Sequence, residues 1–181
     1  MNGGAVTIRP SRDEDVAAIT AIYGYHVLNG VSSFEEVPPS EAEIARRRGD
    51  ILARGLPYLV AVDAAESAGR VVGYCYAGPY RARSAYRFAV EDSIYVAADE
   101  VGRGVGRTLL RAVLEQCTAL GYRQMVAVIG GNETMASIRL HEALGFTHIG
   151  VFTAVGFKFG RWVDTVLMQI PLGPGASAPP A

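Results

Sequence analysis

Along the chain, hydrophobic positions switch between the alternation of a half-buried strand and the three-to-four spacing of an amphipathic helix. Residues 6–9 read as a short strand. Ser11-Arg12-Asp13-Glu14 has the form of a capping box, and Val16, Ile19, Ile22 and Tyr23 follow at helical spacing. Pro38-Pro39-Ser40 ends a loop and caps a second helix, with Glu41 and Glu43 in its first turn and Arg46 to Arg48 beyond, the order a helix dipole favours. Residues 56–62 and 70–77 are β-rich runs joined as a hairpin through Glu66-Ser67-Ala68-Gly69, and residues 86–96 form another strand. The clearest helix is 104–120: Val105, Leu109, Val113, Leu114, Cys117 and Leu120 share one face, and Gly121 ends it. Residues 124–129 form a short apolar strand, which predicts burial on both faces. A helix over 136–144, ended by Gly145, and strands near 147–155 and 162–170 complete the chain.

The order β-α-α-β-β-β-α-β-α-β-β predicts a mixed α/β fold: an antiparallel meander followed by βα crossovers, with helices on both faces of a twisted, mostly antiparallel sheet. Neither a doubly wound parallel sheet nor a barrel has that order. Residues 1–5 and 173–181 are rich in Gly, Pro and Ala and read as loose ends around one domain, 6–172.

Composition narrows the class. A chain of 181 residues, half of them hydrophobic, suits a single domain with a real core. Its 17 basic and 18 acidic residues leave a net charge of −1, with no field to steer it onto nucleic acid or an anionic membrane. No apolar stretch approaches the roughly 20 residues of a membrane span, and the first residues lack a secretory pattern. Cys75 and Cys117 lie in apolar surroundings without a CxxC spacing, so they read as buried free thiols of a soluble cytoplasmic protein. No disulfide framework and no metal site is expected.

The chemistry begins at Val101-Gly102-Arg103-Gly104-Val105-Gly106-Arg107, between a strong strand and a strong helix. Glycines let successive N–H groups face one anion, and the helix N-terminus behind them adds partial positive charge. Arg103 and Arg107 can add charge-assisted bonds. An ordinary glycine turn with two solvated arginines is the plain alternative to a pyrophosphate cradle. A Walker loop needs Lys where Arg107 stands and Gly where Val101 stands. A Rossmann fingerprint needs another glycine spacing and an acid about 20 residues on. The acyl-CoA loop of the Gcn5-related N-acetyltransferases, Arg/Gln-x-x-Gly-x-Gly/Ala, fits at Gly104 and Gly106, with Val101 in place of the usual Arg or Gln.

From about residue 6 to 172 the chain resembles that superfamily, and within it the phosphinothricin and methionine sulfoximine acetyltransferase family. The resemblance rests on five ordered blocks: 77–86 (AGPYRARSAY), 90–96 (VEDSIYV), 126–130 (VAVIG), 137–146 (SIRLHEALGF) and 155–162 (VGFKFGRW). It implies the acyl-CoA N-acyltransferase fold, acetyl-CoA as co-substrate, a homodimer, and N-acetylation of a small amino acid. The family carries Asn three residues before the Ser of the fourth block; Thr134 holds that place and Asn132 comes two residues earlier, leaving both as candidates to face the pantetheine arm.

Acetyl transfer needs a base for the amine, polarisation of the thioester carbonyl, and a proton for the leaving thiolate. Glu91 is the candidate base: it sits mid-strand among apolar residues, where burial raises a carboxyl pKa, and the family's matching Glu is the proposed base. An edge carboxylate facing water is the plain alternative. Period-two alternation puts Glu91, Ser93 and Tyr95 on one face, opposite Val90, Ile94 and Val96. The backbone of Ile94, Tyr95 and Val96 is the expected partner of the pantetheine arm, paired like an added strand. His141 stands where the wider superfamily often has the Tyr that protonates the thiolate, and imidazole can do that work; a helix His satisfied by a carbonyl or by Glu142 is the alternative.

For the acceptor, the resemblance points to Phe34, Tyr80, Arg81, Arg83, Val90 and Lys158, the cations being suited to a substrate carboxylate. Other small amines remain a rival reading, as do a CoA-binding sensor without catalysis and a nucleotide-binding protein.

Overall fold

A computed structural model describes residues 6–63, 69–131 and 135–179. The elements are β1 (Val6–Pro10), α1 (Val16–Asn29), α2 (Glu41–Leu52), β2 (Tyr58–Asp63), β3 (Arg70–Pro79), β4 (Ala89–Val96), α3 (Val105–Ala119), β5 (Gln124–Gly130), α4 (Met135–Glu142), β6 (Thr147–Lys158) and β7 (Arg161–Pro171). The predicted order of strands and helices is the observed one. Seven strands form one sheet in the order β1-β2-β3-β4-β5-β7-β6, antiparallel throughout except for the parallel β4/β5 pair. The predicted hairpin joins β2 to β3; Glu66, Ser67 and Ala68 of its turn lie outside the described residues.

Strand alternation splits the core in two. Leu59 and Ala61 of β2 pack with Val105, Leu109, Leu110, Val113 and Cys117 of α3 and Ile138 of α4. Tyr58 and Val60 point the other way, into Ile19, Ile22, Tyr23 and Val27 of α1 and Ile44 of α2. Helices therefore cover both faces, and each fully buried Val, Leu or Ile contributes about 1.5–3 kcal/mol of apolar transfer. Gly121 closes α3 at φ +86° and Gly145 follows α4 at φ +97°, left-handed positions where glycine carries no Cβ penalty.

Local readings fail at three places. The first capping box does not form: the Ser11 hydroxyl accepts a 2.7 Å bond from Nε of Arg48, a buried residue of α2. Asp15, not Glu14, accepts the Arg12 N–H at 2.7 Å while also taking both arms of Arg9. Ser40 does cap α2, accepting the Glu43 N–H at 3.3 Å. The strand expected from residue 86 starts at Ala89, because Tyr86 and Arg87 donate back to the carbonyls of Arg83 and Ser84 in a short 3-10 turn. β5 is not buried on both sides: Val128 is 42 % exposed, since β5 loses its β4 neighbour before that residue. Beyond β7, residues 172–177 fold into turns, and Arg123 donates to the Pro179 carbonyl at 3.0 Å.

Candidate active site

The site is built by strands that part. β4 and β5 pair only at Ala89–Gln124, Val90–Met125 and Glu91–Val126. Beyond them β4 continues with β3 as far as Val96, while β5 continues with β7 as far as Gly130. Asp92 to Val96 thus keep one ladder edge free of β5, and a cavity of about 550 Å³ opens there, walled also by Tyr23, Phe34, Ser137 and His141.

Glu91 lies at the last paired position and lines the cavity. Burial, reinforced by the negative charge of Asp92 and opposed by Arg81, pushes its carboxyl up to about 7. A carboxyl with that pKa can take a proton from an ammonium near neutral pH. Asp92 points to the opposite face, where its Oδ2 lies 3.1 Å from Nε2 of His141, and both side chains are buried. Nδ1 of the same ring donates to the Ser137 carbonyl at 2.7 Å, and the ring stands edge-on to Phe146. Glu142, the other partner considered for His141, bonds His148 instead.

At the start of α3, Gly102 and Gly104 adopt φ of +84° and +81°, and a Cβ built on either would meet nothing within 4 Å, leaving the backbone there open. Gly106 is different: its Cβ would approach Leu140 at 3.2 Å and Ile94 and Val96 at 3.6 Å, so it lets α3 close against β4 and α4. The side chain of Val105 belongs to the core. Arg103 bonds the buried Glu100, which Arg70 also holds, while Arg107 is exposed. The glycine nest at a helix N-terminus and the unpaired edge of β4 are the two features that an acyl-CoA pyrophosphate and pantetheine arm require. Asn132 and Thr134 lie outside the described residues.

Of the residues expected around the acceptor, the structure brings only Phe34 to the cavity. Val90 is fully buried in the α3-side core and reaches no opening, because it shares the face of Asp92 and Ile94. Lys158 is buried too; its ammonium donates to the carbonyls of Gly30 at 2.8 Å and Ser33 at 2.6 Å, clamping the loop that carries Phe34. Arg81 and Arg83 line a separate cleft with Arg54 and Arg87, and Arg81 lies 5.0 Å over the Tyr80 ring. Residues that spacing did not single out also matter. His26 bonds the Val96 carbonyl at 2.8 Å, and the Tyr23 hydroxyl bonds Ser33 at 2.8 Å, tying α1 to the strand end and to the loop.

A parallel strand pair that opens beside a glycine nest, with an acid of raised pKa at the fork, defines an acyl-CoA-dependent acyltransferase architecture. The sequence profile of the Acetyltransferase (GNAT) family matches residues 25–146, and the chain belongs to that family. It is 52 % identical to a phosphinothricin N-acetyltransferase of Alcaligenes faecalis over 97 % of this chain and 87 % of that protein. It is 42 % identical to an L-methionine sulfoximine/L-methionine sulfone acetyltransferase of Pseudomonas aeruginosa, over 97 % of this chain and 99 % of the relative. A crystal structure of a phosphinothricin acetyltransferase from Sinorhizobium meliloti in complex with AcCoA superposes with a TM-score of 0.92 at 50 % identity, covering 97 % of this chain and 93 % of the other.

Proposed function

We propose that the protein uses acetyl-CoA to N-acetylate the α-amino group of a small amino acid of the phosphinothricin, methionine sulfoximine or methionine sulfone type. Acetyl-CoA supplies an activated acetyl group; the chain supplies the base, the proton and the alignment. Glu91 at the fork of β4 and β5, with its carboxyl near 7, is the observation that carries the reading. Its carboxylate removes the proton from the acceptor ammonium, directly or through water, freeing the lone pair that attacks. The free edge at Ile94, Tyr95 and Val96 aligns the pantetheine arm, a role that Asn132 or Thr134 would share, while Gly102, Arg103, Gly104, Val105, Gly106 and Arg107 offer the pyrophosphate their backbone N–H groups and Arg107 its guanidinium, Arg103 being held by Glu100. His141 returns a proton to the departing sulfur. Phe34 walls the acceptor side chain; of the expected cations Arg81, whose charge acts on Glu91, is the one left to meet the acceptor carboxylate, with Tyr80 beneath it and Arg83 in the same separate cleft.

Transfer is direct. Burial pushes the Cys75 thiol well up and the Cys117 thiol up to about 12, so neither supplies a thiolate, and neither lines the cavity. Turnover of acetyl-CoA, followed by thiol release across amino acids, sulfoximines, phosphinates and unrelated amines, tests the assignment. Preference for an antibiotic or a polyamine would redirect the substrate class, and binding without turnover by any amine would leave only a sensor.

We further propose a cytoplasmic homodimer built on one domain, residues 6–172, in which acetylation protects against a toxic amino acid. Support for the dimer comes from β6, the outermost strand, where Ile149, Val151, Phe152, Val155 and Phe157 are exposed, with Trp162 of β7 66 % exposed beside them. Among the described residues no helix is long and apolar enough to cross a membrane.

A further inference from the structure

We propose that Asp92 is a positioning residue for the reaction: it holds His141 in the doubly protonated form at the cavity wall, loaded with the proton that the departing sulfur takes. The inference rests on the acetyl-transfer reading above and adds to it the partner that makes His141 an acid.

Geometry fixes the proton count. The Ser137 carbonyl can only accept, so Nδ1 of His141, 2.7 Å away, carries a hydrogen. A neutral ring would then turn the lone pair of Nε2 toward Oδ2 of Asp92 at 3.1 Å, lone pair against lone pair. One proton must lie between them, and imidazole is ordinarily the stronger base. The rest of the surroundings agrees. Oδ1 of Asp92 is buried and has no hydrogen-bond partner among the described residues, so the imidazolium is what compensates this carboxylate. Other titratable groups acting on Asp92 are Glu91 on the same strand, Cys75 on β3 and Cys117 on α3, none of them a cation. Burial works to lower the His141 pKa, but the hydrogen bond and charge of Asp92, with the Ser137 carbonyl, outweigh it and raise the ring above its ordinary value.

The position matters as much as the charge. Asp92 is the first residue of β4 past its last pairing with β5, and His141 sits on α4 across the same opening. Both line the cavity that Glu91 lines. As the thioester C–S bond breaks, sulfur keeps the electron pair, the Nε2–H bond of His141 breaks and an S–H bond forms. The ring is left neutral with the lone pair of Nε2 facing Asp92, the arrangement the resting enzyme avoids, and that repulsion draws a proton back from water after the thiol leaves. The amine sheds two protons, the ammonium proton through Glu91 and a second from nitrogen as the tetrahedral adduct collapses; both reach solvent, His141 takes one back, and one proton is released per turnover.

The chain has only three histidines, which makes ¹⁵N NMR titration of the imidazoles decisive. The resonance absent from a His141→Gln spectrum should keep both nitrogens in the protonated range at pH 7.5, without any ligand bound. In Asp92→Asn its titration midpoint should fall by at least about one unit. The high-pH limb of kcat should move down with it, kcat should fall about ten- to a hundred-fold, and KM should change little. Asp92→Glu should restore part of both signals. A parent ring that is singly protonated at pH 7.5 in an active enzyme would overturn the pairing and leave acetyl transfer standing, even if Asp92→Asn fails to fold. A doubly protonated ring whose loss of charge in Asp92→Asn leaves the kcat profile unmoved would overturn the catalytic role. A parent enzyme without turnover on any amine would overturn both readings together.

Discussion

β4 carries two neighbouring carboxylates with opposite fates, because successive side chains of a strand face opposite ways. Glu91 faces the α1/α2 side with Ser93 and Tyr95, has no cation in hydrogen-bond contact, and is pushed up to about 7. Asp92 faces the α3/α4 side with Val90 and Ile94, among apolar groups and thiols, and meets His141. Burial penalises the charge of both. One relieves the penalty by holding its own proton, the other by holding a protonated ring. Environment alone thus separates a base from the anchor of an acid, which is how one site runs both halves of a transfer reaction.

The contrast breaks most visibly at Glu91. Glu91→Gln keeps the size but cannot accept a proton, and general-base catalysis is worth about 10²–10⁴-fold. Turnover at neutral pH should fall by that factor with acetyl-CoA affinity unchanged, and should recover partly as pH rises and free amine appears. In the parent, activity should drop as pH falls through about 7, where the carboxyl takes up its proton. A Gln variant with the parent's rate and pH profile would make the Glu91 face of β4 structural.

Cofactor affinity should be separable from both carboxylates. Gly104 sits at φ +81° with open space beside it, so a valine there is strained and fills the space that an anion would meet. Gly104→Val should weaken acetyl-CoA binding by calorimetry at least about tenfold, the effect of losing a charged hydrogen bond. Unchanged affinity in a folded variant would remove the pyrophosphate from this loop.

The Glu91 side is closed off by Lys158, whose two carbonyl contacts hold the 30–35 loop. Gly156 makes room for that loop, since a Cβ there would strike the Phe34 ring at 2.3 Å. Lys158→Met leaves two carbonyls without their donor, a loss of about 1–3 kcal/mol in thermal or chemical unfolding. If Phe34 walls the acceptor, KM for the amine should rise in the same variant. A rise in KM without loss of stability would instead return Lys158 to the substrate.

The fold was legible because its signals are local: alternation in β2 and β3, the apolar stripe and closing glycine of α3, the Ser40 cap. The alternation also put Glu91 opposite Val90 and Ile94, the face on which Asp92 stands. What spacing could not carry was long-range. Arg48 takes the Ser11 hydroxyl from 37 positions away, and Lys158 reaches 125 positions back to Ser33. Those partners turned an expected cap and an expected substrate cation into braces. Asp92 did leave a trace: a carboxylate on the core face of a strand demands a partner, and His141 was the nearest functional candidate to ask for.

The smallest effect has the most telling sign. Glu91 ionises at an ordinary carboxyl value near 4.5 in the unfolded chain and at about 7 in the native one. Between those values the native state binds the proton more tightly, so stability falls as pH rises through the window and stays lowered above it. Glu91→Gln is neutral throughout and escapes that cost. Allowing for partial exposure of the group, it should stabilise the fold by roughly 1–2 kcal/mol at pH 8, a rise in Tm of about 2–8 °C, and do nothing at pH 4. On the other face stability also falls as pH rises, but the variant's effect has the opposite sign. The raised pKa of His141 means that the pair's contribution is complete below the ordinary imidazole value and is lost as pH climbs through the native one. Asp92→Asn should therefore destabilise most at pH 6 and progressively less above it. Thermal unfolding of both variants at pH 4, 6 and 8 reads the contrast directly. Shifts of the same sign at Glu91 and Asp92 would mean that the two faces of β4 do not differ in the way their surroundings dictate.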